Sequence, residues 1–219
     1  MAIRHKLHAT ILSAALALGC AALPDTVSAA PAVSAASVVD TGNDALAGYA
    51  SSALDQWTMY SMTGSSKALA AFDDTRDAVA AEAANRLGLD VAALQAAWSE
   101  ADAEHQTALM AAFTQLGVRY KGYTAIPGVG FDCSGITSWA WSQAGVSLAR
   151  HSRSQINNAV AVTRDTAQAG DLVYYPGHVM MYLGIDNAII HSPNTGRNVE
   201  LSFVAKRRAN SARFGDPTT

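Results

Sequence analysis

Cysteine is nearly absent: 219 residues hold only Cys20 and Cys133. Two cysteines cannot staple a miniature fold, so the chain has to bury an apolar core, and its length is ample for that. Charge is sparse as well. The 15 basic and 18 acidic side chains make up 15% of the residues, against 50% hydrophobic, which excludes a disordered chain. A formal charge of −3 lacks the basic excess of a protein built mainly to hold nucleic acid. No apolar run reaches the roughly 20 residues of a membrane-spanning helix; the longest, Ala9 to Leu23, has 15. From Gly117 onward there is no repeat, low-complexity tract or Gly-rich phosphate loop, and no G-x-S-x-G elbow points to a serine nucleophile.

That apolar run follows Arg4, His5 and Lys6 and leads to Val27-Ser28-Ala29, small residues of the kind signal peptidase requires. The order reads as a signal peptide over residues 1–29, cleaved after Ala29, and implies a secreted protein. A rival reading takes Leu18-Gly19-Cys20 as a lipoprotein processing site. Ala17, where such sites usually carry Leu, and the apolar residues beyond Cys20 count against it. A buried N-terminal helix is the third reading. Removal of residues 1–29 leaves Cys133 as the lone cysteine. An unpaired thiol in an oxidising compartment is either used or a buried bystander.

Alanine supplies about one residue in five, concentrated before residue 113. Alanine is the best helix former, and residues 40–112 contain no proline. Breaks are signalled at Thr63-Gly64-Ser65 and Gly88-Leu89-Asp90, with Gly88 past a helix end and Asp90 as an N-cap. Helices are predicted near 44–61, 66–87 and 91–116, with apolar stripes from Trp57, Phe72, Leu94, Trp98, Leu109 and Phe113 among others. Residues 40–112 carry 3 basic and 11 acidic side chains; residues 113–219 carry 10 and 6. The acidic helical region therefore has the charge to dock on or shield the basic half, as a lid, spacer or partner-binding module. The basic half would attract anionic polymers such as wall material.

From Gly117 glycine and proline become frequent. One helix is predicted at 133–144, and strands at 171–175, 178–183, 188–191, 198–202 and 209–214. Helices first and strands afterwards make an α+β chain. The boundaries drawn are 1–29 signal peptide, 30–105 linker and Ala-rich acidic helical region, and 106–219 a second, mixed domain.

Asp132 is a plausible N-cap for the helix that follows it, which places Cys133 in the first turn. There the dipole and backbone N–H groups would lower the thiol pKa and could receive an oxyanion. The bland alternative is a small buried hydrophobe. A nucleophile needs a base, and the base an orienting group. His178 opens one predicted strand and His191 closes the next. A tight hairpin pairing 183 with 186 also pairs 178 with 191 and sets the two imidazoles side by side; two unrelated strand-end histidines remain the other reading. His105 reads as a solvated helix-face residue, and His151 as a loop residue. Cys and His are zinc-ligand types, but no close pair such as C-x-x-C or H-E-x-x-H is present, so no metal and no cofactor are expected.

Tyr120-Lys121-Gly122, Phe131-Asp132-Cys133-Ser134-Gly135, Ala144-Gly145-Val146, Leu148 to Ser152 with Gln155, Ala169 to Val173, His178-Val179 to Gly184, and Ile190-His191-Ser192-Pro193 together resemble the ordered motifs of the NlpC-type cell-wall cysteine peptidases. The resemblance covers about residues 108–215. It implies a papain-like α+β domain with a short antiparallel sheet and a helix carrying the nucleophile at its N-terminus, here preceded by the Ala-rich helical segment. By that likeness Cys133 is the nucleophile, His178 the general base and His191 the orienting third member. The substrate class implied is peptidoglycan stem peptides, cut beside a D-γ-glutamyl residue. Tyr120, Asp132, Ser134, Arg150 and Ser152 are substrate-binding candidates by motif position. Arg150 and Arg153 have the geometry to grip a substrate carboxylate, or are surface arginines. Asp171 is expected to fix the turn before His178. The alternatives are a wall amidase cutting at the sugar–peptide junction, another papain-like acyl transferase, and a non-catalytic wall-binding protein.

Overall fold

The computed structural model describes residues 41–218; the signal-peptide and Cys20 readings lie outside them. The described residues fall within one compact unit. Four helices come first: α1 Ala45–Thr63, α2 Ser66–Leu87, α3 Val91–Glu100 and α4 Ala103–Thr114. Their ends follow local chemistry. Asp44, Ser65 and Asp90 each accept a first-turn N–H, and Gly64 and Gly88 close α1 and α2 in the left-handed conformation at φ 66° and 68°.

One long helix over 91–116 is not what forms. The chain breaks at Ala101, and Gln168 is the cause. Its side-chain oxygen accepts the Asp102 N–H at 2.8 Å, and its amide donates to the Asp102 carboxylate at 2.9 Å. A residue 66 positions away thus holds Asp102, the N-cap residue of α4, a contact no local pattern carries.

The remainder is a short hairpin, β1 Ala125–Ile126 with β2 Gly130–Phe131, then α5 Cys133–Gln143, α6 Ser152–Asn158 and β3 Val160–Val162. After these come β4 Leu172–Tyr175, β5 His178–Tyr182, β6 Ala188–His191, β7 Glu200–Phe203, α7 Lys206–Ala209 and β8 Arg213–Asp216. The six-stranded sheet has the order β3-β8-β4-β5-β6-β7, antiparallel throughout. The chain is thus α+β, with the cysteine helix packed on an antiparallel sheet. The last predicted strand moves from 209–214 to 213–216 because α7 occupies 206–209. Gly215 fits closely against Ile156 and Ala159, where a Cβ would stand 2.9 Å from each.

One hydrophobic core joins the helices to the sheet. Phe72, Leu94, Trp98, Leu109 and Phe113 share it with Phe131, Trp141, Val179, Met181 and Ile190. The indole of Trp98 donates to the Leu183 carbonyl at 2.9 Å, at the far end of β5 from His178. The opposite face of the sheet holds a smaller cluster of Val173, Met180, Tyr182, Ile189, Val204 and Phe214. With both faces covered, every residue of β5 and β6 is buried. Within the acidic half Arg76 pairs with Asp73 and Asp77 and Arg86 with Asp44 and Glu82, and among the described residues no Lys or Arg of the basic half pairs with its carboxylates. Apolar packing, not opposite charge, brings the two halves together.

Candidate active site

Cys133 is the first residue of α5, behind its N-cap Asp132, whose carboxylate accepts the Gly135 N–H at 2.7 Å. The backbone N–H of Val179 hydrogen-bonds the thiol, as do the N–H and side chain of Ser134. The thiol therefore lies at the mouth of β5, one residue along from His178. Its pKa departs from the sequence expectation. Burial pushes it above the ordinary value, with the Asp132 carboxylate adding to the rise, and the first-turn donors do not overcome this.

His178 and His191 touch. Nε2 of His178 lies 2.8 Å from Nδ1 of His191, with the rings tilted 73° to each other. Their register is not the one a tight hairpin predicts. Met181 pairs with Ile190 and Tyr182 with Ile189, so His191 falls opposite Met180. The connection is a four-residue turn closed by the Leu183 N–H on the Ala188 carbonyl, with Gly184, Asp186 and Asn187 all at positive φ. Residues 178 and 191 are thus diagonal neighbours on one sheet face, within reach of long rings. Burial holds both imidazoles down at about 4, helped at His178 by the neighbouring ring and at His191 by Arg197.

Of the five substrate-binding candidates, four gather near the thiol. The half-buried Tyr120 phenol is raised by burial first, then by the negative charge of Cys133 and Asp132. Arg150 is already engaged: its fork spans both Asp132 oxygens at 2.8 and 2.6 Å and reaches Ser134 Oγ at 2.9 Å. That bidentate pair occupies the geometry a substrate carboxylate would use. Ser152 opens α6 beyond this group, and Arg153 is exposed. His151, expected in a loop, is the N-cap residue of α6.

Other site residues emerge only in three dimensions. Gln155 is buried, and its amide donates to the carbonyls of Ser134 and Ala149 while its oxygen accepts from Thr137. Ser192 donates to the Phe131 carbonyl at 2.7 Å, tying the end of β6 to the strand that leads into Cys133. The ring of Tyr175 lies 5.4 Å from that of His178, across the Pro176-Gly177 turn. Gln155 and Ser192 belong to the sequence motifs, but their partners could not be read from them. A groove of about 520 Å³ opens over the two imidazoles, with Asn194, Arg197, Glu200 and Arg207 among its lining. Among the described residues, none of α1–α4 lines it.

His105 corrects the sequence reading. It is fully buried, with Nε2 3.0 Å from Asp171 and 3.4 Å from Asp216, and its ring stands edge-on to Trp141. From Thr107 to Thr114 α4 is buried all round, and His105 goes in with it despite the polar residues flanking it. Asp171 also accepts the Gln168 N–H at 2.8 Å, which fixes the turn into β4. His105, Asp171 and Asp216 are metal-ligand types in one cluster. A ligating imidazole normally donates its second N–H to an acceptor, whereas Nδ1 of His105 is buried without a partner. The hydrogen bonds already present account for the cluster.

Residues 117–215 match the NlpC/P60 family model. This stretch is similar to NlpC/P60 domains. Over 94 residues it is 38% identical to the gamma-D-glutamyl-L-lysine dipeptidyl-peptidase of Bacillus cereus, covering 39% of this chain and 28% of that protein. Over 110 residues it is 39% identical to a probable endopeptidase of Corynebacterium glutamicum, covering 49% and 51% respectively. A solved NlpC/P60 family protein from Bacillus cereus is similar at 29% identity and a TM-score of 0.48, covering 52% of this chain and 40% of that one. The chain thus spans about a quarter to a half of the length of these curated relatives. No helix among the described residues is long and apolar enough to cross a membrane.

Proposed function

We propose that the protein is a secreted peptidoglycan endopeptidase that cleaves stem-peptide amide bonds next to a D-γ-glutamyl residue, with Cys133 as nucleophile, His178 as base and His191 as orienter. One observation carries the reading. The thiol accepts the N–H of the residue after His178, and Nε2 of that imidazole is tied to His191, which in this reading leaves Nδ1 of His178 as the nitrogen that takes the proton. The name of the Bacillus cereus relative supports the γ-glutamyl bond, and that of the Corynebacterium glutamicum relative supports an endopeptidase.

The thiol and both imidazoles are neutral at rest. As Sγ attacks the carbonyl, its proton passes to Nδ1 of His178. The N–H groups of Gly135 and Ile136 are already taken by Asp132, so the oxyanion falls to the earlier amides of the turn. The imidazolium then protonates the leaving amine. Water gives a proton to His178 as its oxygen attacks the thioester, and the thiol is regenerated. His191 holds the ring in the useful tautomer. Incubation of peptidoglycan with the purified protein and with Cys133→Ala, followed by mass spectrometry of released fragments, tests this. Release of stem-peptide fragments with a new γ-glutamyl terminus by the parent alone is the expected result. A new amine on the sugar-linked alanine would make the enzyme an amidase; equal release by both proteins would remove Cys133 from the mechanism.

A further inference from the structure

His191 has a second nitrogen that the mechanism leaves unused. Nε2 is buried and has no hydrogen-bond partner, a state that is costly for a polar group. The carboxylate of Glu200 stands 3.6 Å away, beyond a formed N–H···O bond. Glu200 is directly opposite His191 in the β6–β7 ladder, so both side chains leave the same face and a side-chain rotation alone closes the gap. Arg197 holds the carboxylate from its other side, with Nε 3.0 Å from one oxygen and a terminal nitrogen on the other. Catalytic hydrogen bonds are commonly long in a ligand-free site and tighten around substrate.

We propose that Glu200 is a positioning residue of the histidine pair, accepting the Nε2–H of His191 in the working enzyme and so fixing which nitrogen of each ring carries a proton. The inference rests on the functional reading above. With the proton on Nε2, Nδ1 of His191 is an acceptor. Nε2 of His178 must then donate across the 2.8 Å contact, and Nδ1 of His178 keeps the lone pair that takes the thiol proton. The opposite assignment puts a proton on Nδ1 of His178 and disables the base. Arg197 holds the carboxylate in place.

The charged and titratable groups around the pair are Cys133 from α5, Tyr175 from β4, Glu200 from β7, Arg197 from the turn before it, and Arg207 from α7 on the groove wall. Glu200 favours the imidazolium, whereas Arg197 opposes it. Glu200→Ala should lower kcat roughly tenfold to a hundredfold with KM nearly unchanged. Glu200→Gln keeps an acceptor oxygen, loses less rate, and moves the acid limb of kcat/KM to lower pH. Arg197→Gln moves that limb to higher pH. A merely structural brace would not shift the limb in opposite directions. Long-range proton–nitrogen NMR of histidine-labelled protein gives a second readout that needs no activity: His191 carries its proton on Nε2 in the parent, and a mixture of tautomers appears in Glu200→Ala. Parental kcat, acid limb and tautomer in Glu200→Ala overturn the proposal. If Cys133→Ala cleaves as well as the parent, the functional reading fails instead, and the NMR comparison still decides the role of Glu200.

Discussion

At Cys133 the first-turn donors and burial oppose each other, and burial prevails. The thiol is held above its ordinary range while both imidazoles are held at about 4. The free enzyme therefore holds a neutral pair at neutral pH, without a standing thiolate–imidazolium. Alkylation of Cys133 by iodoacetamide should accelerate about tenfold per pH unit from pH 6 to 8; a rate flat across that span would reveal a standing ion pair. The histidines also make stability depend on pH. Their folded pKa values lie below the unfolded 6.5, so the unfolded chain binds more protons between about 4 and 6.5, and stability is lost as pH falls through that window. The loss is at most about 3 kcal/mol per ring, less where the two share a proton. Urea midpoints measured at pH 7 and pH 4.5 should separate widely for the parent and draw together for the His178→Gln, His191→Gln double variant.

Among the elements, α5 depends on contacts that fix its first turn. Gln155 binds two carbonyls and one hydroxyl from a position 1% exposed. Gln155→Ala leaves those groups unsatisfied and should cost about 2–4 kcal/mol, read as a lower urea midpoint together with a loss of activity. Gly135 is more constrained still, because a Cβ there would stand 2.2 Å from the Thr124 carbonyl oxygen. Gly135→Ala must push α5 away from the Thr124 backbone. The expected outcome is poor folding or a folded protein without activity; parental activity would show that the turn has slack.

For the whole molecule, the shared core decides what the Ala-rich helices are. Trp98 is fully buried and hydrogen-bonded to Leu183, yet the helices do not line the groove over the histidines. The expectation of a removable lid over that groove gives way to one of structural support. Trp98→Ala should lower stability by about 3–5 kcal/mol in one cooperative transition that includes the sheet, followed by thermal circular dichroism. Deleting residues 41–105 should yield insoluble protein, not a more active enzyme. A soluble deletion product with raised peptide hydrolysis would restore the lid.

Local features were legible in the sequence: the helix starts at Asp44, Ser65, Asp90 and Asp132, the glycine stops at 64 and 88, and the short apolar runs between Gly, Pro and Asn turns that become β4 to β6. Each rests on a group and its neighbours within four residues. The motif order pointed to the family, and the spacing of the two histidines put them on one hairpin. Tertiary structure decided the rest, because the deciding partners are distant in the chain. Gln168 splits a helix that looks continuous, and Asp171 draws His105 inside from a polar stretch. Asp132 takes Arg150, and a turn with three left-handed residues slides the histidine register by two. The protonation of the site belongs here too, since burial is a property of the folded chain that no motif contains.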